Sequence, residues 1–230
     1  MNLKNRIIAI AICVLATSLC LAQGGGGRQG RRGGFGAPYM ATRLINNPEV
    51  QTELALTDDE KTKITDLRQS FRGAGGGGQP TPEEREQRML DQQKQIEGVL
   101  TADQVKRLHE IQVQVAGDLA VLIPFVQDGI GLTDDEKTQV KKVNSDYNAA
   151  NASIFQKMRD GSLDRQAAFD EIRKNGDTLK DNLKKAVPAD KYAKVKDLGG
   201  KPFAAAADLA TPRGPGGGRR NRNAGGGNGQ

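Results

Sequence analysis

The sequence predicts an all-α protein: two tandem units of antiparallel amphipathic helices, flanked by disordered Gly/Arg-rich tails. Between residues 40 and 210, apolar residues recur three and four positions apart, and no useful length of chain alternates with period two. Thr-x-x-Glu or Thr-x-x-Gln motifs precede several of these apolar series, as at the starts of helices. One segment of the chain also returns further along with few changes, which indicates an internal duplication.

Residues 1–22 are typical of a cleavable secretory signal. Lys4 and Arg6 precede an apolar run from Ile7 to Leu21, and Ala22 supplies a small residue at a cleavage junction before Gln23. A membrane anchor is the alternative, but the run is shorter than the ~20 apolar residues of a spanning helix. We therefore expect a periplasmic or secreted protein whose mature chain has no transmembrane segment.

Both cysteines of the sequence, Cys13 and Cys20, lie inside this predicted signal. A lipoprotein attached through Cys20 is a further alternative, although Leu19 precedes that cysteine where lipid-attachment signals carry a small residue. If the signal is removed, the mature chain has no thiol for disulfides, nucleophilic catalysis or cysteine-rich metal sites. Its stability must then come from packing.

Glycine and arginine are concentrated outside the helical region. Residues 23–39 and 211–230 form a Gly/Arg-rich leader and tail with little apolar surface to bury, and residues 73–80 read as a flexible glycine linker. Nine of the 34 Lys and Arg residues lie in the signal, leader and tail, so 25 remain against 28 Asp and Glu in the body. The body is therefore mildly acidic, and the tails are basic.

The internal duplication divides the body into two predicted repeats, residues 40–123 and 124–210. The segment 48–62, PEVQTELALTDDEKT, returns at 124–138 as PFVQDGIGLTDDEKT. A second pair agrees with the same division, because residues 100–108, LTADQVKRL, resemble residues 187–195, VPADKYAKV. Each repeat is expected to be one group of helices.

Four capping boxes mark predicted helix starts. In such a box the threonine accepts a hydrogen bond from the first turn, and the side chain three residues on reaches back to the threonine N–H. The boxes pair Thr57 with Glu60, Thr81 with Glu84, Thr101 with Gln104, and Thr133 with Glu136. The adjacent aspartates could be read as cation ligands, but the spacing of a calcium loop is missing and capping accounts for every residue. We interpret all eight residues as structural.

The apolar positions inside the helices suggest a core. Phe71, Met89, Phe125, Phe155, Met158 and Phe169 are expected to be mostly core residues, since large apolar side chains usually are. A turn at Gly161 predicts a short antiparallel connection between two long helices of the second repeat.

The residues that usually carry catalysis are scarce. His109 is the only histidine, and without a second histidine or a cysteine beside it we interpret it as a partly exposed surface residue. Gly75 to Gly78 follow no strand and precede no Gly-Lys-Ser/Thr, so they are read as a hinge and not a phosphate loop. We predict no catalytic, cofactor-binding or metal site; an enzyme that uses carboxylates alone is a weaker alternative.

At its helix starts the chain resembles the Spy/CpxP-type, or LTxxQ, family of exported helical proteins, in a tandem-duplicated form. The motif is complete at Leu100–Gln104, while the copies at Leu56 and Leu132 end in glutamate and the copy at Val187 has lost it. The resemblance implies an envelope protein that works without nucleotide hydrolysis, either shielding unfolded proteins or sensing envelope stress.

The favoured hypothesis is therefore an exported helical binding protein, an ATP-independent periplasmic chaperone or envelope-stress protein, with unfolded or envelope proteins as partners. The alternative is a structural, envelope-associated interaction protein whose basic tails bind anionic polymers. Export argues against intracellular nucleic acid as a partner of the tails.

Overall fold

A computed structural model of the chain describes residues 40–73 and 81–210. Within these ranges the protein is all-α and has no β-strand, which confirms the predicted fold class. The predicted signal, leader and C-terminal tail lie outside the described residues, as do residues 74–80 of the predicted glycine linker. None of the described helices is both long enough and apolar enough to span a bilayer.

Ten α-helices and two 3-10 segments follow one another in the described residues. The helices are α1 (Ala41–Leu44), α2 (Pro48–Glu53), α3 (Asp58–Gly73), α4 (Pro82–Glu97), α5 (Ala102–Ala116), α6 (Pro124–Gly129), α7 (Asp134–Arg159), α8 (Arg165–Ala186), α9 (Ala189–Lys194) and α10 (Ala206–Ala210). The 3-10 segments are Gly117–Leu122, between α5 and α6, and Asp197–Gly199, after α9.

The buried apolar residues form three clusters. The first cluster comprises Ala41, Leu44, Ile45, Val50, Leu54, Leu56, Ile64, Ile96, Leu108, Ile111, Val115 and Phe203. The second comprises Val113, Ala116, Ala120, Val121, Ile123, Val126, Ile130, Leu132, Val140, Leu179, Leu183, Val187 and Val195. The third, Ile154, Ala168 and Ile172, lies between α7 and α8 near their connecting turn. Helix α5 contributes residues to both large clusters.

Helices α7 and α8 pack against each other as an antiparallel hairpin. The hairpin turns at Gly161, whose φ of +78° suits a residue without a side chain. Beside the third cluster, the amide of Asn175 donates to Oδ1 of the buried Asn151 at 3.0 Å. This side-chain bond satisfies a polar group inside the hairpin.

The last described residues, 200–210, return from the second cluster to the first. We call this segment the terminal strap. Phe203 is a member of the first cluster, Leu209 packs against that cluster, and α10 packs on α5. The end of the second predicted repeat therefore completes the cluster formed mainly by residues of the first.

The loops that precede α3 and α7 have matching backbones. Ala55 and Gly131 occupy equivalent places and both have positive φ, 49° and 70°. The amide of Leu56 donates to the Gln51 carbonyl at 3.0 Å, and that of Leu132 to the Gln127 carbonyl at 2.9 Å. The left-handed conformation costs an alanine roughly 1–2 kcal/mol and a glycine almost nothing.

Replacing Ala55 with glycine should therefore stabilise the fold. The relief of left-handed strain exceeds the roughly 0.5–1 kcal/mol of extra backbone entropy that glycine loses, so Ala55→Gly is expected to raise the free energy of unfolding by about 0.5 kcal/mol. Gly131→Ala is the matched reverse change and should lower it by about 0.5 kcal/mol. Urea unfolding monitored by circular dichroism measures both; a loss of stability in Ala55→Gly would contradict the equivalence.

Candidate functional site

The capping boxes do more than begin single helices. Two of them meet at a place that we call the first junction. Glu60 accepts from the N–H of Thr57 at 2.8 Å, and Gln104 accepts from the N–H of Thr101 at 2.8 Å, so each box caps its own helix. The Nε2 of Gln104 then donates to Oε2 of Glu60 and to the carbonyl of Leu54, both at 3.2 Å. The first turns of α3 and α5 are thereby joined.

The second junction has the same plan with a different residue. Glu136 caps α7 by accepting from the N–H of Thr133 at 2.7 Å. Lys191 of α9 donates to the same carboxylate at 2.6 Å. In the repeat, Lys191 stands where the first half has Gln104. The contact between the two helix starts is thus made by an ion pair where the glutamine is absent.

The loops beside the two junctions share a further hydrogen bond. The side-chain amide of Gln51 donates to the carbonyl of Ile45 at 2.9 Å, and that of Gln127 to the carbonyl of Val121 at 2.8 Å. These glutamines tie each short helix to the chain before it. These glutamines could be found from the sequence, because both copies of the repeated segment contain the same Val-Gln pair.

The remaining box, at Thr81 and Glu84, caps α4. The N–H of Thr81 donates to Glu84 at 2.8 Å, and the N–H of Glu84 donates to the threonine hydroxyl at 3.1 Å. All four threonine motifs therefore cap helices, and three of them also link helices that are distant in sequence.

The electrostatics of the junction carboxylates suit a structural role. The backbone N–H of Thr57 lowers the pKa of Glu60. The Lys191 ammonium, followed by the N–H of Thr133, lowers the pKa of Glu136. A general acid or base works best with a pKa near the working pH. The pKa values of these two carboxylates are shifted away from that range, and their oxygens already accept hydrogen bonds.

His109 links three helices of the described body. Its Nε2 lies 2.7 Å from Oε1 of Glu97 in α4, and its ring stacks on Phe125 of α6 with centroids 3.9 Å apart. The His109 side chain keeps 27% of its surface exposed. The hydrogen bond with His109 lowers the pKa of Glu97. The arrangement joins α4, α5 and α6, and no local pattern in the sequence indicates Phe125 as the stacking partner.

The described surface has two open depressions. One, of about 280 Å³, is lined by Glu49, Glu53, Phe203, Ala204, Ala205 and Asp208. The other, of about 420 Å³, is lined by Pro48, Gln51, Thr52, Ala55, Leu56 and Lys61. Across residues 40–73 and 81–210, no three His, Cys, Asp or Glu side chains lie close enough together to hold a metal ion.

No protein-family model matches this chain, and comparison with curated proteins and with solved structures found no significant similarity.

Gln104 and Lys191 occupy matching places in the two junctions, so substituting each by the other should change how the free energy of unfolding depends on pH. In Lys191→Gln the pKa of Glu136 should rise towards its ordinary value, because an amide replaces the ammonium. A lowered pKa in the folded state stabilises the fold above the unfolded-state pKa, and this stabilisation is lost as the pH falls through the folded-state value. Lys191→Gln should therefore lose less stability than the wild type when the pH is lowered below about 4.

Gln104→Lys is the matched reverse substitution and should make the fold more sensitive to the same fall in pH. Urea unfolding at stepped pH values gives both slopes. An unchanged slope in Lys191→Gln would show that the ion pair at the second junction does not stabilise the fold.

Proposed function

We propose that this is an exported helical binding protein that acts without nucleotide hydrolysis, as an ATP-independent periplasmic chaperone or envelope-stress protein, and not as an enzyme. The secretory pattern of residues 1–22 and the resemblance of the helix starts to the LTxxQ family support this proposal. The observation that carries it is the incomplete burial of the large apolar side chains of the body.

The sequence predicts that six large apolar residues are mostly core, but none of them belongs to the buried core. Met89 is exposed, with 39% of its surface accessible. The other five, Phe71, Phe125, Phe155, Met158 and Phe169, pack against the clusters but are only partly buried. Each therefore both supports the fold and presents apolar surface to solvent.

Helices α3 and α4 bury few of their described side chains. Among the side chains that are described there, Ile64 is the buried residue of α3 and Ile96 that of α4. Leu67 and Leu90 are half-buried, and most of the remaining side chains are exposed charged or polar groups. Apolar patches bordered by charge make weak contacts with many partners, which is what binding of unfolded proteins requires.

The second candidate function is binding of anionic envelope polymers by the basic tails. It is favoured by the distribution of charge, since the acidic body has a net charge opposite to that of the tails. Such binding depends on arginine charge and weakens with salt, whereas binding through apolar surface is much less sensitive to salt.

The two candidates are separated by substitution in the full mature chain. Met89→Gln removes an exposed apolar contact without disturbing the core, and should weaken the suppression of aggregation of an unfolded client by roughly two- to five-fold. Arg88→Gln on the same helix is the matched control and should have little effect. Light scattering of a chemically denatured client, diluted into the purified protein, measures the suppression.

Replacing Arg213, Arg219, Arg220 and Arg222 by glutamine should leave this suppression intact. Absence of suppression by the wild-type chain at stoichiometric excess would rule out the chaperone activity. Loss of salt-sensitive binding to an anionic polymer in the arginine variant would then favour the second candidate.

A further inference from the structure

The terminal strap is held in what we call the strap groove, the surface of α2 and α5 formed by Glu53, Arg107, Glu110 and Gln114 beside the first cluster. Phe203 of the strap is buried in that cluster, with 8% of its surface exposed. Further along the strap, Ala205, Ala206, Leu209 and Ala210 pack partly buried against the cluster. One aromatic side chain therefore supplies most of the buried apolar anchor of the strap.

The polar contacts of the groove are made to the backbone of the strap. Gln114 donates through Nε2 to the carbonyls of Gly199 and Lys201, and its Oε1 accepts from the N–H of Phe203 at 2.7 Å. Arg107 donates to the same Lys201 carbonyl at 2.8 Å. These bonds hold the non-helical residues before Ala204 through backbone groups, which are common to all sequences, and not through their side chains. The strap then turns at Ala204 and Ala205 and continues as α10.

Residues outside the strap position Arg107 in the strap groove. The guanidinium of Arg107 pairs with Glu53 of α2 at 2.7 Å and with Glu110 of α5 at 2.6 Å. Both carboxylates lie outside the strap, so two of the partners that position Arg107 do not belong to the segment that it binds.

The strap does not fill the space available to it. The open depression of about 280 Å³ lies between Ala204 and Ala205 of the strap and Glu49 and Glu53 of α2. Side chains larger than alanine could therefore occupy these places. Backbone hydrogen bonds, one apolar anchor and unused space beside it are the properties of a site that accepts varied segments.

We propose that the strap groove is a peptide-binding site, which takes short segments of unfolded proteins that carry one aromatic residue, and that the strap is its internal occupant. This inference rests on the proposed binding function and names the site and the class of segment. The attached strap competes at the high effective concentration of an intramolecular ligand. Client segments bind where they are abundant enough to replace it.

The test uses the full mature chain and a fluorescein-labelled peptide with the sequence of residues 200–210. Phe203→Ala removes the anchor from the attached strap and should bind the added peptide at least about ten-fold more tightly than the wild type, by fluorescence anisotropy. Phe203→Leu keeps an apolar anchor and is the matched control, with binding close to wild type. A peptide in which alanine replaces the phenylalanine should bind much more weakly.

A second variant opens the strap without removing a core side chain. Gly200 has φ of +58° and ψ of −141°, a conformation available almost only to glycine, and a side chain there would overlap Glu110. Gly200→Ala should therefore also bind the added peptide more tightly than the wild type. Adding Gln114→Ala to either variant should weaken that binding by roughly three- to ten-fold, because backbone hydrogen bonds are lost.

Equal binding of the peptide by the wild type and by folded Phe203→Ala and Gly200→Ala variants would overturn the proposal. So would dimers of these variants in sedimentation that fail to bind the peptide, since the groove would then select the strap of a second copy. Peptide binding without suppression of aggregation would count against the chaperone activity and leave the groove intact. Suppression without peptide binding would count against the groove alone.

Discussion

The fold depends on the burial of helix α5 on two sides. Leu108, Ile111 and Val115 enter the first cluster, while Val113 and Ala116 enter the second. Most helices at a protein surface bury one stripe and expose the other, but α5 is sandwiched and so ties two cores into one. The burial of apolar surface is the main stabilising term in folding, and here a single helix shares it between both halves.

The polar contacts that define the candidate sites also converge on this helix. Its first turn carries Gln104, which joins α3, and its later turns carry His109, which contacts α4 and α6. Arg107 and Gln114 fix the terminal strap to the same helix. The last described residues are therefore held by a helix near the middle of the chain. The proposed peptide site depends on this arrangement.

The sequence could predict what local chemistry determines. Capping boxes, helical spacing and the turn at Gly161 are encoded within a few residues, so the helix class and starts follow from pattern alone. Contacts between distant residues were not predictable in this way: Lys191 meets Glu136 across 55 positions, and Arg107 meets the Lys201 carbonyl across 94. The internal repeat contained part of this information, since Lys191 aligns with Gln104. The burial of Phe71 was overestimated because spacing identifies an apolar face but not what covers it.

We infer that α5 makes one cooperative structure from two clusters, and calorimetry of residues 23–230 measures this cooperativity. A single transition is expected, with the calorimetric and van't Hoff enthalpies equal. Val113→Ala, which opens a space in the second cluster only, should lower the midpoint of that whole transition and leave it single. Two separable transitions, or a shift confined to one part of the melting curve, would show that the clusters unfold independently and that α5 does not couple them.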